Sequence, residues 1–202
     1  AIGAVNNHGN GSNSGHVRIY SFDSSSFQWR QMGADIDGEA AGDESGWSVS
    51  LSSDGNIVAI GARLNNDNGS ESGHVRVYAF DATLSEWNQI GDDIDGEATN
   101  DDSGFSVSLS SDGNIVAIGA RDNDGNGSNS GHVRVYSFDA TLNEWNQMGD
   151  DIDGEATNDT SGRSVSLSSD GNVVAIGANS NDATGSNSGH VRVFRNELTL
   201  EP

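Results

Sequence analysis

The sequence lacks cysteine and lysine, and its single proline, Pro202, is the last of 202 residues. The absence of cysteine excludes disulfide bonds, but it does not decide the compartment, because stacked sheets share a continuous core without such links. Hydrophobic residues make up only 33% of the chain, and no stretch is long and apolar enough to span a bilayer. We therefore expect no membrane insertion.

The charge is strongly one-sided, because the formal net charge is −22 at pH 7 and every basic residue is an arginine. Such a surface repels nucleic acids and anionic membranes, and we expect neither as a partner. It attracts cations, divalent ones in particular, and is otherwise a solvated acidic surface.

Residues 1–4 repeat residues 59–62, so the chain begins inside a repeat. We interpret it as a piece of a longer protein, in which missing targeting signals carry no weight.

An internal repeat of 58 residues organises the chain, and it is marked by His16, His74, His132 and His190, each within Gly-His-Val-Arg. The low hydrophobic content raises disorder as an alternative, but the apolar residues fall in short Val/Ile/Leu runs bounded by turn residues, as in strands. The repeat predicts one continuous array over residues 1–202. Its units are a partial blade at 1–45, blades at 46–103 and 104–161, and a last blade with tail at 162–202.

The pattern predicts an all-β chain with four strands per unit. In the second unit the predicted strands are 47–52, 57–62, 74–80 and 86–90, and in the third they are 105–110, 115–120, 132–138 and 144–148. The first unit gives 1–5, 16–22 and 27–32, and the last gives 163–168, 173–178 and 191–195, with 197–202 as a weak strand or a tail. Asp112-Gly113 predicts a type I′ hairpin turn between two strands. Four short strands per repeat indicate a β-propeller blade, covered on both faces by its neighbours.

The repeat also resembles a known family. Gly46-Trp47 and Gly104-Phe105, followed by Ser-Val-Ser-Leu, and the later Val-Ala-Ile-Gly-Ala run resemble the FG-GAP repeat of integrin alpha subunits, although the family's proline is missing. The resemblance implies a propeller whose Gly-aromatic strand is innermost and whose Trp strand is outermost. It further implies a ring of seven blades, of which under four are present; this arc could alternatively close as a small ring.

The family's calcium loop between the first two strands is not matched here. That loop contains a single carboxylate, such as Asp112, which cannot supply the six to eight oxygens that calcium prefers. The acidic loops after the Trp strands are better candidates for Ca²⁺, because Asp-x-Asp-Gly supplies two carboxylates on a bent backbone. The candidate ligands are Asp35, Asp37, Glu39, Asp93, Asp95, Glu97, Asp151, Asp153 and Glu155. The alternative is that these carboxylates cap the loop, pair with arginine or face solvent.

A second candidate calcium loop begins at Asp122, because Asp122, Asp124 and Asn126 fit the start of an Asp-x-Asp-x-Asn-Gly motif. No glutamate stands at its twelfth position, so a flexible loop is the alternative interpretation.

Asn-x-Ser/Thr sequons give four candidate glycosylation sites, at Asn10, Asn68, Asn126 and Asn158. Glycosylation would require a eukaryotic secretory route.

The repeated histidines, arginines and tryptophans favour packing over catalysis, because a functional site is rarely copied into every blade. We expect Arg18, Arg76, Arg134 and Arg192 to pair with loop carboxylates, and the histidines to make hydrogen bonds at strand starts. Trp29, Trp87 and Trp145 are expected to pack at blade edges. Arg163, which stands where Trp47 and Phe105 stand, is the one break in the innermost strands, and on its own it gives little support for a hydrolase.

The sequence therefore predicts a non-enzymatic structural or adhesion module, located outside the cell or at its surface. Its expected partners are other proteins or copies of itself, and glycans under the second hypothesis. That second hypothesis is a calcium-dependent propeller that binds carbohydrate or another ligand through the acidic loops.

Overall fold

The computed structural model describes residues 1–196, and their regular structure consists of strands. Blade 1 contains β1 (Ile2–Gly3), β2 (His16–Arg18), β3 (Tyr20–Asp23), β4 (Gln28–Gln31) and β5 (Ile36–Asp37). Blade 2 contains β6 (Ser48–Leu51), β7 (Ile57–Ala62), β8 (His74–Asp81), β9 (Glu86–Gln89) and β10 (Ile94–Asp95). Blade 3 contains β11 (Ser103–Leu109), β12 (Ile115–Ala120), β13 (His132–Asp139), β14 (Glu144–Gln147) and β15 (Ile152–Asp153). Blade 4 contains β16 (Ser161–Leu167), β17 (Val173–Ala178) and β18 (His190–Arg195). The weak strand predicted at 197–202 lies outside the described residues.

Each complete blade is an antiparallel sheet in the predicted order, with β6, β7, β8 and β9 side by side in blade 2. The loop after the fourth strand adds one feature that the sequence did not predict. Its two-residue strand β10 pairs with the start of β8, Ile94 opposite Val75 and Asp95 opposite His74. This pairing places the acidic loop beside the histidine that begins the third strand, and blade 3 repeats the arrangement with β15 and β13.

The turn between the first two strands is a hairpin, as predicted, but the predicted type I′ turn is wrong. Gly113 has a φ of 75°, whereas the backbone of Asp112 is not in the positive-φ region. The Asp112 carboxylate instead holds a wider loop together. Its Oδ1 accepts hydrogen bonds from Ser110 Oγ at 2.6 Å and from the backbone N–H of Asn114 at 3.1 Å. A carboxylate that caps the loop backbone removes the need for positive φ at both central residues.

Hydrophobic cores lie between blades. The core between blades 2 and 3 contains Val75 and Val77 from one blade and Val116, Ile118 and Tyr136 from the other. Equivalent clusters join blade 1 to blade 2 and blade 3 to blade 4. Strand β12 serves two of these cores, because Val116 and Ile118 face blade 2 while Ala117 faces blade 4. The run of successive apolar residues follows from this coverage on both faces.

The blades also approach each other closely through backbone and small side chains. Ser48 Oγ donates a hydrogen bond to the Gly104 carbonyl of the next blade, and Ser106 Oγ donates one to Gly162, both at 2.7 Å. Trp87 and Trp145 pack against the preceding blade as predicted, with Trp87 Nε1 donating to the Met32 carbonyl at 2.8 Å and Trp145 Nε1 donating to the Ile90 carbonyl at 2.9 Å, whereas Trp29 is 68% exposed. Stacking therefore depends on glycine and serine as well as on apolar side chains.

The described residues form an open arc and not a closed ring, so the alternative of a small closed ring is wrong. We call the face of a blade toward its predecessor the leading face and the opposite one the trailing face. On the leading face of blade 1, Ile2 is 59% exposed, and on the trailing face of blade 4, Val191 and Val193 are 68% and 65% exposed. The same positions are buried at the three internal junctions, except that Val135, the counterpart of Val193 in blade 3, is half-buried. Among residues 1–196, no helix long and apolar enough to cross a bilayer occurs.

Candidate functional site

The junction between two blades assembles polar side chains that the sequence places far apart. At the junction of blades 1 and 2, His74 begins strand β8, Asp93 precedes β10 of the same blade, and Glu39 comes from the acidic loop of blade 1. His74 Nδ1 lies 3.5 Å from Asp93 Oδ2 and 3.9 Å from Glu39 Oε2. Asp67, in the loop between β7 and β8, completes a group of four whose donor atoms all lie within 4.8 Å of one another.

The next junction repeats this group with three members. His132 Nδ1 lies 3.8 Å from Glu97 Oε2 and 3.8 Å from Asp151 Oδ2. The position that corresponds to Asp67 is Gly125, so the fourth carboxylate is missing. At the last junction His190 Nδ1 faces Glu155 Oε2 at 3.4 Å. Blades 2, 3 and 4 therefore each supply a histidine that lies close to the glutamate of the preceding blade's acidic loop.

Burial shifts the pKa values of the side chains at the junction of blades 1 and 2. Burial lowers the pKa of His74, and the nearby Arg76 guanidinium lowers it further, against the opposing effect of Asp93. Burial also raises the pKa of Glu39, while Arg76 opposes the rise. The predicted hydrogen bonding of the histidines is not found at His74 Nδ1, a buried nitrogen that has no hydrogen-bond partner among the described residues. A neutral imidazole with a free nitrogen beside carboxylates is a potential metal ligand.

The predicted calcium sets do not stay together in the fold. Asp35 pairs with Arg18, which donates from Nε at 2.9 Å and from Nη2 at 2.8 Å. These bonds, with a further one from Gln31, lower the pKa of Asp35 to about 2. Glu39, from the same loop, reaches into the next blade, where Arg76 Nη1 lies 3.3 Å from its Oε1. The expected pairing of the repeat arginines with loop carboxylates is therefore found at Arg18, at Arg76 and at Arg134, whose Nη1 lies 3.5 Å from Glu97 Oε1.

The middle acids of the loops serve mainly through their backbone. The carbonyl oxygen of Asp37 accepts a hydrogen bond from Arg76 Nη2 at 2.9 Å, and that of Asp95 accepts one from Arg134 at 2.6 Å. Asp153 stands in the same relation to Arg192. Burial raises the pKa of the Asp95 and Asp153 carboxyls, and Asp93 and Asp151 respectively add to the rise. In the second and third predicted sets, then, the first and third acids belong to different junctions. In the first set Asp35 stays within blade 1 while Glu39 reaches the junction with blade 2.

The second candidate calcium loop is held by its own hydrogen bonds. Asp124 Oδ1 accepts from the Asn129 amide at 2.7 Å, and Asp122 Oδ2 accepts from Arg121 Nε at 3.1 Å. Asn126 Nδ2 donates to the Gly154 carbonyl of the acidic loop at 2.8 Å. The three predicted ligands therefore point to separate partners, and a calcium site there stays a prediction.

The in-phase sequon asparagines have a structural role. Asn10 Nδ2 donates to the carbonyls of Gly38 and Glu39, and Asn68 Nδ2 donates to that of Gly96 at 2.8 Å. Asn126 does the same in blade 3, while Asn158 lies outside this pattern, with a φ of 65°. Glycosylation at these four positions stays a prediction, and at the first three a glycan would share an amide nitrogen that already bonds to the acidic loop.

Asp67 is the ligand candidate that sequence reasoning missed. Its counterparts in the other repeats are Gly9, Gly125 and Ala183, so a carboxylate occurs at this position only once. Comparing the repeats position by position would have identified it as a deviation, but nothing in the sequence shows that the position faces His74.

A second polar cluster lines the ends of the innermost strands. The Arg63 guanidinium stacks on Trp47 at 3.9 Å, Arg121 stacks on Phe105 at 4.2 Å, and Arg163 lies 5.5 Å from the same Phe105 ring. Arg163 thus continues a column of aromatic and cationic side chains. Asp102 is buried between Arg63 and Arg121, each 3.3 Å away.

Asp102 should make stability depend on pH between about 4 and 6. Burial raises its pKa to about 6, Asp122 adds to the rise, and Arg63 and Arg121 oppose it. The folded state then binds the proton more tightly than the unfolded chain, so this group's contribution to stability is greatest at low pH and declines as the pH rises through that window. Relative to an Asp102→Asn variant, the wild type should lose about 1 kcal/mol from pH 4 to pH 7, after allowance for solvent screening.

Urea unfolding of both proteins at several pH values measures this difference. Asp112→Asn is the control, because hydrogen bonds from Ser110 and Asn114 lower the pKa of Asp112. The contribution of Asp112 to stability therefore increases with pH, opposite to that of Asp102. Parallel pH profiles for the wild type and Asp102→Asn would contradict the prediction.

Comparison with known proteins identifies the repeat. The FG-GAP repeat model matches residues 35–80, 94–136 and 152–194, which together make up more than half of the chain. The chain belongs to the FG-GAP repeat family. No curated protein sequence matches it.

Solved structures share the fold of this FG-GAP chain at low sequence identity. A protein from Lactobacillus plantarum is 15% identical, with a TM-score of 0.58 over 91% of this chain and 46% of that one. The periplasmic gluconolactonase of Pseudomonas aeruginosa is 16% identical, with a TM-score of 0.53 over 88% of this chain and 45% of that one. The chain spans less than half the length of these two structures, and the likeness shows the propeller-type fold alone.

Proposed function

We propose that this FG-GAP chain is a non-enzymatic structural or adhesion module, which acts outside the cell or at its surface and binds other proteins or copies of itself. The observation that carries the proposal is the pair of apolar end faces of the described arc, each of which fits a further blade, whether from the same protein or from another copy. Val191 and Val193 on the trailing face of blade 4 correspond to Val75 and Val77, which are buried at the internal junction. Ile2 and Trp29 on the leading face of blade 1 correspond to the buried Ile60 and to Trp87, which packs against blade 1.

The two end faces are the two halves of one interface that the chain already forms three times. A trailing face fits a leading face, so copies can associate head to tail by the contacts that join neighbouring blades. Such a heterologous contact builds a ring or an open filament, depending on the rotation between copies. Exposed apolar patches of this kind mark interaction surfaces in soluble proteins.

A non-enzymatic role is supported by the repetition of the polar groups. The histidines, arginines and acidic loops recur in successive blades, and most of their contacts hold neighbouring blades together. Arg163 stacks on Phe105 beside Arg121, which gives it a packing role. The activity named for the Pseudomonas aeruginosa protein belongs to that protein, since 16% identity carries no catalytic residue across.

Self-association should be measurable by sedimentation velocity of the whole chain. At about 100 μM and moderate salt we expect species larger than the monomer, with association increasing as salt screens the net charge of −22. The double variant Val191→Glu/Val193→Glu should be monomeric. Leu84→Glu is the matched control, because Leu84 is exposed on an outer hairpin away from the end faces. Monomeric wild type, or equal association in the double variant, would overturn the proposal for copies of this chain.

The alternative function is cation-dependent binding of a carbohydrate or another ligand, and it is favoured by the carboxylate groups at the junctions. In its calcium form it requires that Ca²⁺ stabilise the protein. An unchanged Tm when EDTA replaces Ca²⁺ would remove that form.

A further inference from the structure

We propose that the junction of blades 1 and 2 binds a divalent first-row transition metal ion through Glu39, Asp67, His74 and Asp93. These four residues are called the junction site below. Their donor atoms lie within 4.8 Å of one another, and they come from three separate loops and one strand start. The site is independent of the proposed adhesion role, since it requires only the contact between blades 1 and 2.

The histidine is the observation that distinguishes this site from an acidic cluster. The His74 side chain is 1% exposed, and its Nδ1 makes no hydrogen bond. This nitrogen is aimed at Asp93 Oδ2, 3.5 Å away, and at Glu39 Oε2, 3.9 Å away. Ligands about 2.0–2.1 Å from a tetrahedral zinc ion lie roughly 3.3–3.4 Å apart, so a small inward movement would bring these atoms to coordination distance. A metal ion would satisfy the nitrogen that the protein leaves unpaired.

Hydrogen bonds and an ion pair with neighbouring side chains hold the carboxylates of the junction site in position. Gln89 Nε2 donates to Asp93 Oδ1 at 2.6 Å and leaves Oδ2 facing His74. Arg76 lies 3.3 Å from Glu39 Oε1 and leaves Oε2 toward the site. Asn65 Nδ2 approaches Asp67 Oδ2 at 3.4 Å. Partners of this kind orient metal ligands and tune their basicity.

The donor set selects the class of metal. Calcium and magnesium prefer oxygen ligands, whereas imidazole with carboxylates suits zinc and its neighbours in the first transition row. One imidazole and three carboxylates therefore favour Zn²⁺ over the Ca²⁺ predicted from the acidic loops alone. The carboxylates of Glu39 and Asp93 are partly exposed, which leaves an entry path for the ion.

The repeat provides an internal comparison. The second junction has Glu97, His132 and Asp151 in the same arrangement but Gly125 in place of Asp67. It should therefore bind the same ion more weakly. At the first histidine, His16, the carboxylates within 4.0 Å of Nδ1 are Asp35 and Asp37 of the same blade, and no glutamate lies there among the described residues, so this position serves as a control.

The test uses the whole chain, freed of metal with EDTA and titrated calorimetrically with Zn²⁺. Visible absorption of the Co²⁺ form reports the ligand geometry. We expect a tight binding event that Ca²⁺ does not reproduce. Asp67→Gly should weaken it at least about tenfold, to the level of the second junction, and His74→Gln should abolish it. Gly125→Asp should strengthen binding at the second junction, and His16→Gln should leave the tight event unchanged.

Two results would overturn the junction site: Zn²⁺ that binds no more tightly than Ca²⁺, or equal losses in His16→Gln and His74→Gln. If His74→Gln does not fold, as judged by circular dichroism, Asp67→Gly decides the question. That variant places in blade 2 the glycine that blade 3 already has, at an exposed position. Unchanged Zn²⁺ affinity in Asp67→Gly would then contradict the proposed ligand set.

Discussion

Replacing Gly119 with alanine is expected to lower the free energy of unfolding by at least about 3 kcal/mol. A Cβ at this position would lie 2.0 Å from the Gly162 carbonyl oxygen of blade 4 and 2.5 Å from Ser106 Oγ. Gly119 is an interior residue of strand β12 without positive φ, so alanine suits its local backbone conformation. The cost therefore arises from pushing two blades apart, with loss of the Ser106 hydrogen bond to Gly162.

Gly177→Ala is the matched control for this effect. Gly177 occupies the same repeat position in blade 4, where the nearest contact of an added Cβ is Ser164 Oγ, the end of a small side chain. We expect a loss below about 1 kcal/mol, because no backbone of a following blade lies within reach among the described residues. Urea unfolding followed by tryptophan fluorescence measures both variants. Equal losses would show that the glycine is needed within its own sheet and not for the approach of the next blade.

The strands could be predicted from the sequence because one blade repeats its apolar pattern along the chain. Residues 115–120 are apolar at successive positions, and the structure explains this by cores on both faces, with Ile118 toward blade 2 and Ala117 toward blade 4. The family resemblance added the order of strands within a blade, which the pairing of β11 to β14 confirms. Local pattern was sufficient there because the strands of a blade are neighbours in sequence.

The candidate site could not be predicted in the same way, because it forms between repeats. Asp35 and Glu39 are four residues apart, and their spacing favoured a common ion within one loop. Instead Asp35 pairs with Arg18 of its own blade, and blade stacking brings Glu39 to His74 of the next blade. The partners of Glu39 are set by the rotation between blades, which no local spacing encodes. The turn at Asp112 also differs from the predicted type I′ turn. Hydrogen bonds to the Asp112 carboxylate stabilise a wider loop there, which the Asp-Gly pair alone does not indicate.

Ile118→Ala should destabilise the chain by about 2–5 kcal/mol, the second large effect expected here. Ile118 is 1% exposed and packs with Val75 and Val77 of the preceding blade, so the substitution opens a cavity inside a junction. Ile2 occupies the same position in the repeat, and each isoleucine pairs with its repeat arginine, Ile2 with Arg18 and Ile118 with Arg134. The two residues differ mainly in whether a preceding blade covers them.

Ile2→Ala is therefore the control that separates packing between blades from strand formation within a blade. It should cost less than about 1 kcal/mol in the monomer, because Ile2 is already largely exposed. The comparison also tests the proposed self-association, because a copy docked on the leading face of blade 1 would bury Ile2. Under associating conditions the cost of Ile2→Ala should then rise toward that of Ile118→Ala, while in dilute solution it should remain small. Unfolding measured at low and high protein concentration therefore shows whether the leading face of blade 1 stays exposed or is covered by a second copy.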